Sequence, residues 1–274
     1  MSILNGKAVV VTGAGRGLGR AYALHAALCG AAVVAEIRGA GGTALPSKHS
    51  VARADEATAL VEECVREHGR LDGLVNNAGV LHAARVWEEE PEQLRTIVEV
   101  NVLGVLYCGA AAARVMRDAH SGAIVNVTSG AMEGFERLGA YSATKGAVAS
   151  VTFAWALELA PAGVRVNAIS PQAQTRMNLG RREGQSPAAP ERIAPLVSYL
   201  LSDLSRGVTG QVVRLTGPEL SLVRHPRRCE LVLRSDDWTV EAIAHAFDTE
   251  LRRDLEPVGF NEDAYRWSDA GSSG

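Results

Sequence analysis

The chain has 274 residues, of which 47% are apolar, 5% aromatic and 22% charged, and its net charge is −3. That length buries a sizeable core in one large domain or two small ones. The charge balance offers no basic field to nucleic acid or an anionic membrane, and no run reaches the roughly 18 apolar residues of a membrane span.

Met1 to Lys7 leads directly into an apolar strand, so no targeting peptide is expected. Ala8–Thr12 (AVVVT) reads as a short strand, followed by a glycine-rich turn and a helix from about Leu18 to Cys29. An amphipathic helix over about Asp55 to His68 precedes a strand ending at Leu74–Asn76. Glu92–Asp118 reads as one long helix and Ala123–Thr128 (AIVNVT) as a central strand. Tyr141–Ala160 is helical up to Pro161, Val164–Ile169 is a strand, Glu191–Asp203 a helix and Gln211–Leu215 a last strand. Alternating apolar strands and helices imply an α/β fold: a doubly wound, mostly parallel sheet with helices on both faces. One Rossmann-like catalytic domain is expected over residues 1–216. Residues 217–274 form a charged extension with one helix at Thr239–Asp254, expected to pack on the same domain and to end in disorder. Cys29, Cys64, Cys108 and Cys229 are scattered without a CxxC pair, as free thiols of a cytoplasmic protein would be. The seven histidines form no metal-ligand spacing.

Two motifs carry chemistry. Tyr141-Ser142-Ala143-Thr144-Lys145 places a phenol and an ammonium one helical turn apart on one face. A lysine so held is expected to favour the phenolate and let the tyrosine trade protons near neutral pH. Alone the pair is weak, since most such pairs are solvated surface neighbours. Thr12-Gly13-Ala14-Gly15-Arg16-Gly17-Leu18-Gly19 follows a strand and opens a helix. Gly13 permits the turn, Gly17 lets backbone approach a pyrophosphate, and Gly19 lets helix and strand pack closely. The plain alternative is a structural glycine turn.

These residues resemble the short-chain dehydrogenases/reductases, whose TGxxxGxG pattern is met by Thr12, Gly13, Gly17 and Gly19. Asn76-Asn77-Ala78-Gly79 matches the family's NNAG, Asn101 its relay asparagine, and Ser129 stands twelve residues before Tyr141. The resemblance covers about residues 5 to 215, and the tail looks like that of actinobacterial-type members acting on acyl or polyketide-like carbonyls. It implies a catalytic set of Asn101, Ser129, Tyr141 and Lys145. Tyr141 would be the acid or base and Ser129 a donor to the carbonyl oxygen. Lys145 would bind the ribose and Asn101 connect the lysine to water. It also implies cofactor contacts from Gly13, Gly15, Arg16, Gly17, Leu18, Gly19, Asn77, Ala78 and Gly79. Ile169 would meet the carboxamide, as would Thr175 beyond Pro171 and Gln172. Each residue also has a bland reading: Ser129 capping a turn, Asn101 satisfying backbone, Lys145 a solvated charge. Gln172 stands where the family usually has glycine, so its backbone must avoid positive φ or be strained. Asn178–Pro190 reads as a short lid whose Arg181 and Arg182 could meet an anion, a solvated loop being the simpler account.

Between the first helix and Asn76 the chain is shorter than in such proteins. In one reading Ala31–Arg38 (AAVVAEIR) is the second strand. Ile37 then replaces the acid that binds the adenosine ribose, and Arg38 with Arg16 could hold a 2′-phosphate, favouring NADP(H) over NAD(H). In the other, Val33–Gly42 is the end of the next helix. Parallel neighbours need a crossover of about a dozen residues or more, so a strand here is lost, shortened or joined by a bare loop. Ser50, before Val51, replaces an aspartate common in the family's adenine pocket.

The leading expectation is an NADP(H)-dependent ketoreductase or alcohol dehydrogenase for a small to medium, mostly apolar carbonyl compound. The alternatives are a non-redox dehydratase, cyclase or epimerase, and a non-catalytic sensor or partner subunit. Gly130–Leu138 (with Met132, Phe135 and Arg137) and Val80–Trp87 are expected to line the substrate pocket. Small apolar residues at Gly109–Ala113 and Ala147–Ala156 cover more than one helix face, which suits burial in a homodimer or homotetramer.

Overall fold

The computed structural model describes residues 2–35, 44–45, 47–173 and 188–255. Eight strands form one sheet: β1 (Ala8–Val11), β2 (Ala32–Ala35), β3 (Ala44–Leu45), β4 (Gly73–Asn76), β5 (Gly122–Val127), β6 (Val164–Pro171), β7 (Val212–Leu215) and β8 (Leu220–Val223). Their order is β3-β2-β1-β4-β5-β6-β7-β8. All neighbours pair in parallel except β7 with β8. The chain departs from β1 toward one edge and returns through β4 toward the other, the doubly wound topology expected.

Both faces are covered, which is why the strands read as unbroken apolar runs rather than alternating ones. In β1 the pleat sends Val9 and Val11 into the layer under α1 (Gly17–Leu28) and α6 (Pro190–Leu201). It sends Ala8 and Val10 to the other face, against α2 (Ala54–His68), α4 (Gly104–Asp118) and α5 (Gly139–Leu159). Val9 and Val10 are fully buried, each a gain of about 1.5–3 kcal/mol over exposure.

The shortened region resolves in favour of the strand reading: Ala32–Ala35 pairs with β1, Ala8 opposite Ala32. The neighbouring strand survives as two residues, with Val33 opposite Ala44. Only residues 36–43 join them, too few for a helical crossover. Ile37 and Arg38 lie outside the described residues.

The long helix expected over Glu92–Asp118 is not uniform. It consists of α3 (Pro91–Val98), a wider π-type turn at Glu99–Leu103, and α4. By composition this run is apolar enough to cross a membrane, yet Ile97, Gly104, Cys108 and Met116 are buried in the protein. Residues 217–223, the start of the expected extension, include the edge strand β8. A second compact unit begins at Arg224. It contains α7 (Val240–Thr249), capped by Thr239, and a tight turn at Leu251–Asp254 in place of one continuous helix.

Candidate active site

The C-terminal ends of β1 and β4 meet where the chain direction reverses, the place where open α/β sheets bind ligands. Thr12 joins the two loops there. Its hydroxyl donates to the Val75 carbonyl at 3.3 Å and accepts from the Asn77 and Ala78 N–H groups at 3.0 Å each. The Asn77 amide donates to the carbonyls of Thr12 (2.9 Å) and Gly13 (3.2 Å). A Cβ on Gly19 would stand 2.4 Å from both the Gly13 oxygen and the Asn77 amide nitrogen. Gly19 is therefore required by close packing. Gly17 differs: its φ is +56° and a Cβ there would meet nothing within 4 Å. The space beside it is open. Arg16, at the helix N-cap, makes no side-chain cap, and the first turn of α1 holds no acid. The helix start thus presents free N–H groups and positive partial charge, flanked by exposed Gly15 and half-buried Leu18.

Asn101 sits in the π-type turn between α3 and α4 and is fully buried. A π-type turn bulges a helix and is used where a side chain must be redirected. The Asn101 oxygen accepts from the Val80 N–H at 2.8 Å, and its nitrogen donates to the Val80 carbonyl (2.9 Å) and the Thr144 hydroxyl (3.1 Å). The loop carrying Gly79 is thereby fastened to α5, because Thr144 donates in turn to the Tyr141 carbonyl at 2.8 Å.

Ser129 stands two residues past the end of β5 and caps a tight turn at Gly130–Glu133, its hydroxyl accepting from Ala131 N–H at 3.2 Å. It also neighbours the Tyr141 hydroxyl, whose pKa it draws down. Lys145 is buried, and its ammonium donates to the Val127 carbonyl at 2.8 Å while lying 5.5 Å from the Tyr141 ring centroid. Thr128 completes this joint by donating to the Lys145 carbonyl at 2.8 Å. A Cβ on Gly79 would fall 3.3 Å from the Asn101 oxygen and 3.8 Å from the Lys145 nitrogen. The four residues thus converge on one end of the sheet.

The electrostatics differ from the expectation for the phenol. Burial raises the Tyr141 pKa above its ordinary value, and the opposing influence is Ser129 rather than Lys145. The lysine is itself depressed to about 8 by burial. Its ammonium is turned to a backbone carbonyl.

Of the remaining expected contacts, Ser50 is exposed, its N–H bonded to Glu56 at 2.7 Å. Val51 packs on α4, where a Cβ on Gly104 would come within 2.8 Å of it. Pro171 ends β6, and Ile169 is buried within that strand. Gln172 bonds through its N–H to the Leu215 carbonyl at 2.9 Å and accepts from Arg214 at 3.4 Å. Among described non-glycine residues only His120 and Arg137 have positive φ, so Gln172 escapes the strain its position threatened. Arg38, Thr175, Arg181 and Arg182 lie outside the described residues. No group of three or more His, Cys, Asp or Glu among the described residues is arranged to hold a metal.

Sequence reasoning missed a buried polar ladder beneath the site. Asn76 donates to Asn126 at 2.9 Å, and Asn126 donates to Thr152 at 2.9 Å, joining β4, β5 and α5. Asparagines inside apolar strands were the available signal, since buried amides need partners.

The short chain dehydrogenase family model matches residues 7–186. An uncharacterized oxidoreductase of Methylorubrum extorquens is 38% identical over 251 residues, covering 79% of this chain and 99% of its own. A 3-oxoacyl-[acyl-carrier-protein] reductase of Synechocystis sp. is 34% identical over 246 residues, covering 79% and 98%. A crystal structure of a short chain dehydrogenase from Mycobacterium avium superposes with a TM-score of 0.84 at 30% identity, covering 94% of this chain and 98% of that one. The fold and the site therefore define an oxidoreductase, and the chain belongs to the short-chain dehydrogenase/reductase family.

Proposed function

We propose that the chain is an NADP(H)-dependent ketoreductase or alcohol dehydrogenase acting on a small to medium, largely apolar carbonyl or hydroxy compound. The observation that carries this reading is the convergence of Ser129, Tyr141 and the buried Lys145 at one end of the sheet, with Ser129 close enough to the phenol to lower its pKa. The acyl substrate named for the Synechocystis relative supports an acyl or polyketide-like compound.

The glycine loop fits a dinucleotide. The uncapped start of α1 suits its phosphates, and the open side of Gly17 admits them. Exposed Arg16 favours NADP(H), with Arg38 as its proposed partner at a 2′-phosphate. A nicotinamide nucleotide held by this loop would supply the hydride in reduction and take it up in oxidation. Tyr141 gives its hydroxyl proton to the carbonyl oxygen in reduction and takes it back in oxidation. Ser129 donates to the same oxygen and fixes its position. Lys145, which donates to the Val127 carbonyl, would hold the ribose hydroxyls. Asn101 holds the Gly79–Val80 backbone against α5 and serves the proton path from there.

A non-redox proton-transfer enzyme is the second reading, motivated by the two-residue β3. Retention of Tyr141 and Lys145 argues against a non-catalytic sensor. A homodimer or homotetramer is supported by α5, which is apolar around its circumference with Leu157 79% exposed. Unlinked thiols at Cys29, Cys64 and Cys108 support a cytoplasmic protein.

The test is turnover of a panel of ketones with each reduced nucleotide, using Tyr141→Phe as control. Consumption of nucleotide by the parent and its loss in the variant support the reductase. A carbonyl or hydroxy compound transformed without nucleotide would favour the non-redox reading.

A further inference from the structure

We infer that a cavity at the N-terminal end of the sheet binds a small organic phosphate, at a site separate from the one that carries Tyr141. The inference goes beyond the reductase reading above and does not depend on it.

The cavity encloses about 390 Å³, within the usual size of small-molecule sites. It lies where strands begin. Of the residues lining it, Lys7 precedes β1, Asp72 precedes β4, and Gly122 and Val164 open β5 and β6. Doubly wound sheets bind their usual ligands at the opposite end, beyond the C-termini of the strands. Gly122 and Ser129 are seven residues apart along β5 and its extension, about 23 Å at roughly 3.3 Å per residue. The cavity is therefore neither the glycine loop nor the pocket beside Tyr141.

Charge decides what it holds. Asp72 is neutralised by Arg70, which donates to it at 2.7 and 2.6 Å, and it also accepts from the Ala8 N–H at 2.8 Å. Asp203 pairs with Lys7 at 3.1 Å. Two more cations, Arg165 and Arg206, line the cavity with no carboxylate bonded to either among the described residues. Arg165 is half-buried in β6 and donates to the carbonyls of Leu200 (2.7 Å) and Ser202 (3.0 Å) and to the Ser205 hydroxyl. These acceptors are neutral, so they fix the guanidinium without cancelling its charge, and they use three of its five donors. Arg206 is exposed, and among the described residues its side chain has no hydrogen-bond or ion-pair partner. The Asp203 carboxyl is held below its ordinary range by Lys7 above all, with Arg206 and Arg165 adding to it.

Three cations (Lys7, Arg165 and Arg206) thus face one carboxylate, Asp203, leaving a surplus of two positive charges. A phosphate monoester carries about −2 near neutral pH, and guanidiniums bind its oxygens through paired N–H groups. His120 and Ser121 also line the cavity and can donate to the remaining oxygens. A bare phosphate would leave much of the volume empty, which makes room for a small organic body.

The test titrates the purified protein with glycerol 3-phosphate, inorganic phosphate and acetate by calorimetry at fixed ionic strength. Parent, Arg206→Gln and Asp203→Asn are compared. Both phosphates should bind the parent, the ester more tightly, and acetate at least about 10-fold more weakly than the ester. Arg206→Gln should weaken the ester about 10-fold, the loss of a charged hydrogen bond. Asp203→Asn removes the competing carboxylate and should tighten binding about 2- to 5-fold. A gain of affinity cannot come from a damaged fold. Phosphate held at the start of α1 would ignore both substitutions, and that result overturns the inference. So does affinity not raised by Asp203→Asn, equal binding of acetate, or no binding to the parent at about 10 mM. Inorganic phosphate bound more tightly than the ester overturns the organic ligand.

Discussion

Lys145 and Val127 are joined through an ammonium-to-carbonyl hydrogen bond of 2.8 Å, inside a protein that leaves the lysine only 4% exposed. A buried cation beside a backbone carbonyl is costly, and its pKa falls to about 8 as a result. The joint fastens α5 to the end of β5 and sets Tyr141 beside Ser129.

The depressed lysine predicts how stability depends on pH. Between about 8 and the ordinary 10.5 the folded chain binds fewer protons than the unfolded one. Stability contributed at this site therefore rises with pH through that window and is constant below it. The full span corresponds to about 3 kcal/mol at most. From pH 7 to 10.5 the melting temperature of the parent should rise relative to that of Lys145→Met. Parallel curves would contradict the assignment.

Tyr141→Phe should lower turnover about 10²–10⁴-fold, the usual worth of a positioned acid or base. Nucleotide affinity should stay within a few-fold, because the ring remains. Steady-state kinetics and a nucleotide titration of the variant check both halves.

Ser129→Ala should act on the phenol as well as on the substrate. The serine is what opposes the upward push of burial on Tyr141. Without it the phenol rises further, so the base limb of the alcohol-oxidation profile should move to higher pH. Turnover should also fall about 10²-fold with the lost donor. An unmoved limb would show that the serine does not tune the tyrosine.

Two glycines should fail in different ways. Gly19→Ala drives a methyl to within 2.4 Å of the Gly13 oxygen, and overpacking of this kind costs about 1–3 kcal/mol. A lower melting temperature should follow. Gly17→Ala meets no atom but holds a φ of +56°, a strain of about 1 kcal/mol. Its main effect should be weaker nucleotide binding, seen by titration. Equal effects of both on stability and binding would remove the distinction drawn between packing and ligand approach.

Asn126→Leu should destabilise by about 1–3 kcal/mol, chiefly through the Asn76 amide left bare, since the Thr152 hydroxyl keeps its bond to the Val148 carbonyl. The companion change Asn76→Leu in the same chain should add less than its separate cost, since the ladder is already broken. Chemical denaturation of the single and double variants measures this.

The fold was legible where residues repeat a physical pattern. Ala8–Val11 and Gly122–Val127 are apolar because both sheet faces are covered, and glycine marked each turn. The convergence of Ser129, Tyr141 and Lys145 followed from their motifs. The π-type turn at Asn101 was not legible, since one extra residue in a helix leaves the apolar spacing nearly unchanged. Nor was the direction of the Lys145 ammonium, because spacing along a helix places a side chain without naming its partner. The second and third strands were ambiguous because only their pairing distinguishes a four-residue strand from a helix end.

Titration of the purified protein with NADPH and NADH, followed by nicotinamide fluorescence, tests the central claim most directly. Saturable binding is predicted, tighter for NADPH, and weakened by Gly17→Ala. Absence of binding of either nucleotide at millimolar concentration would contradict it.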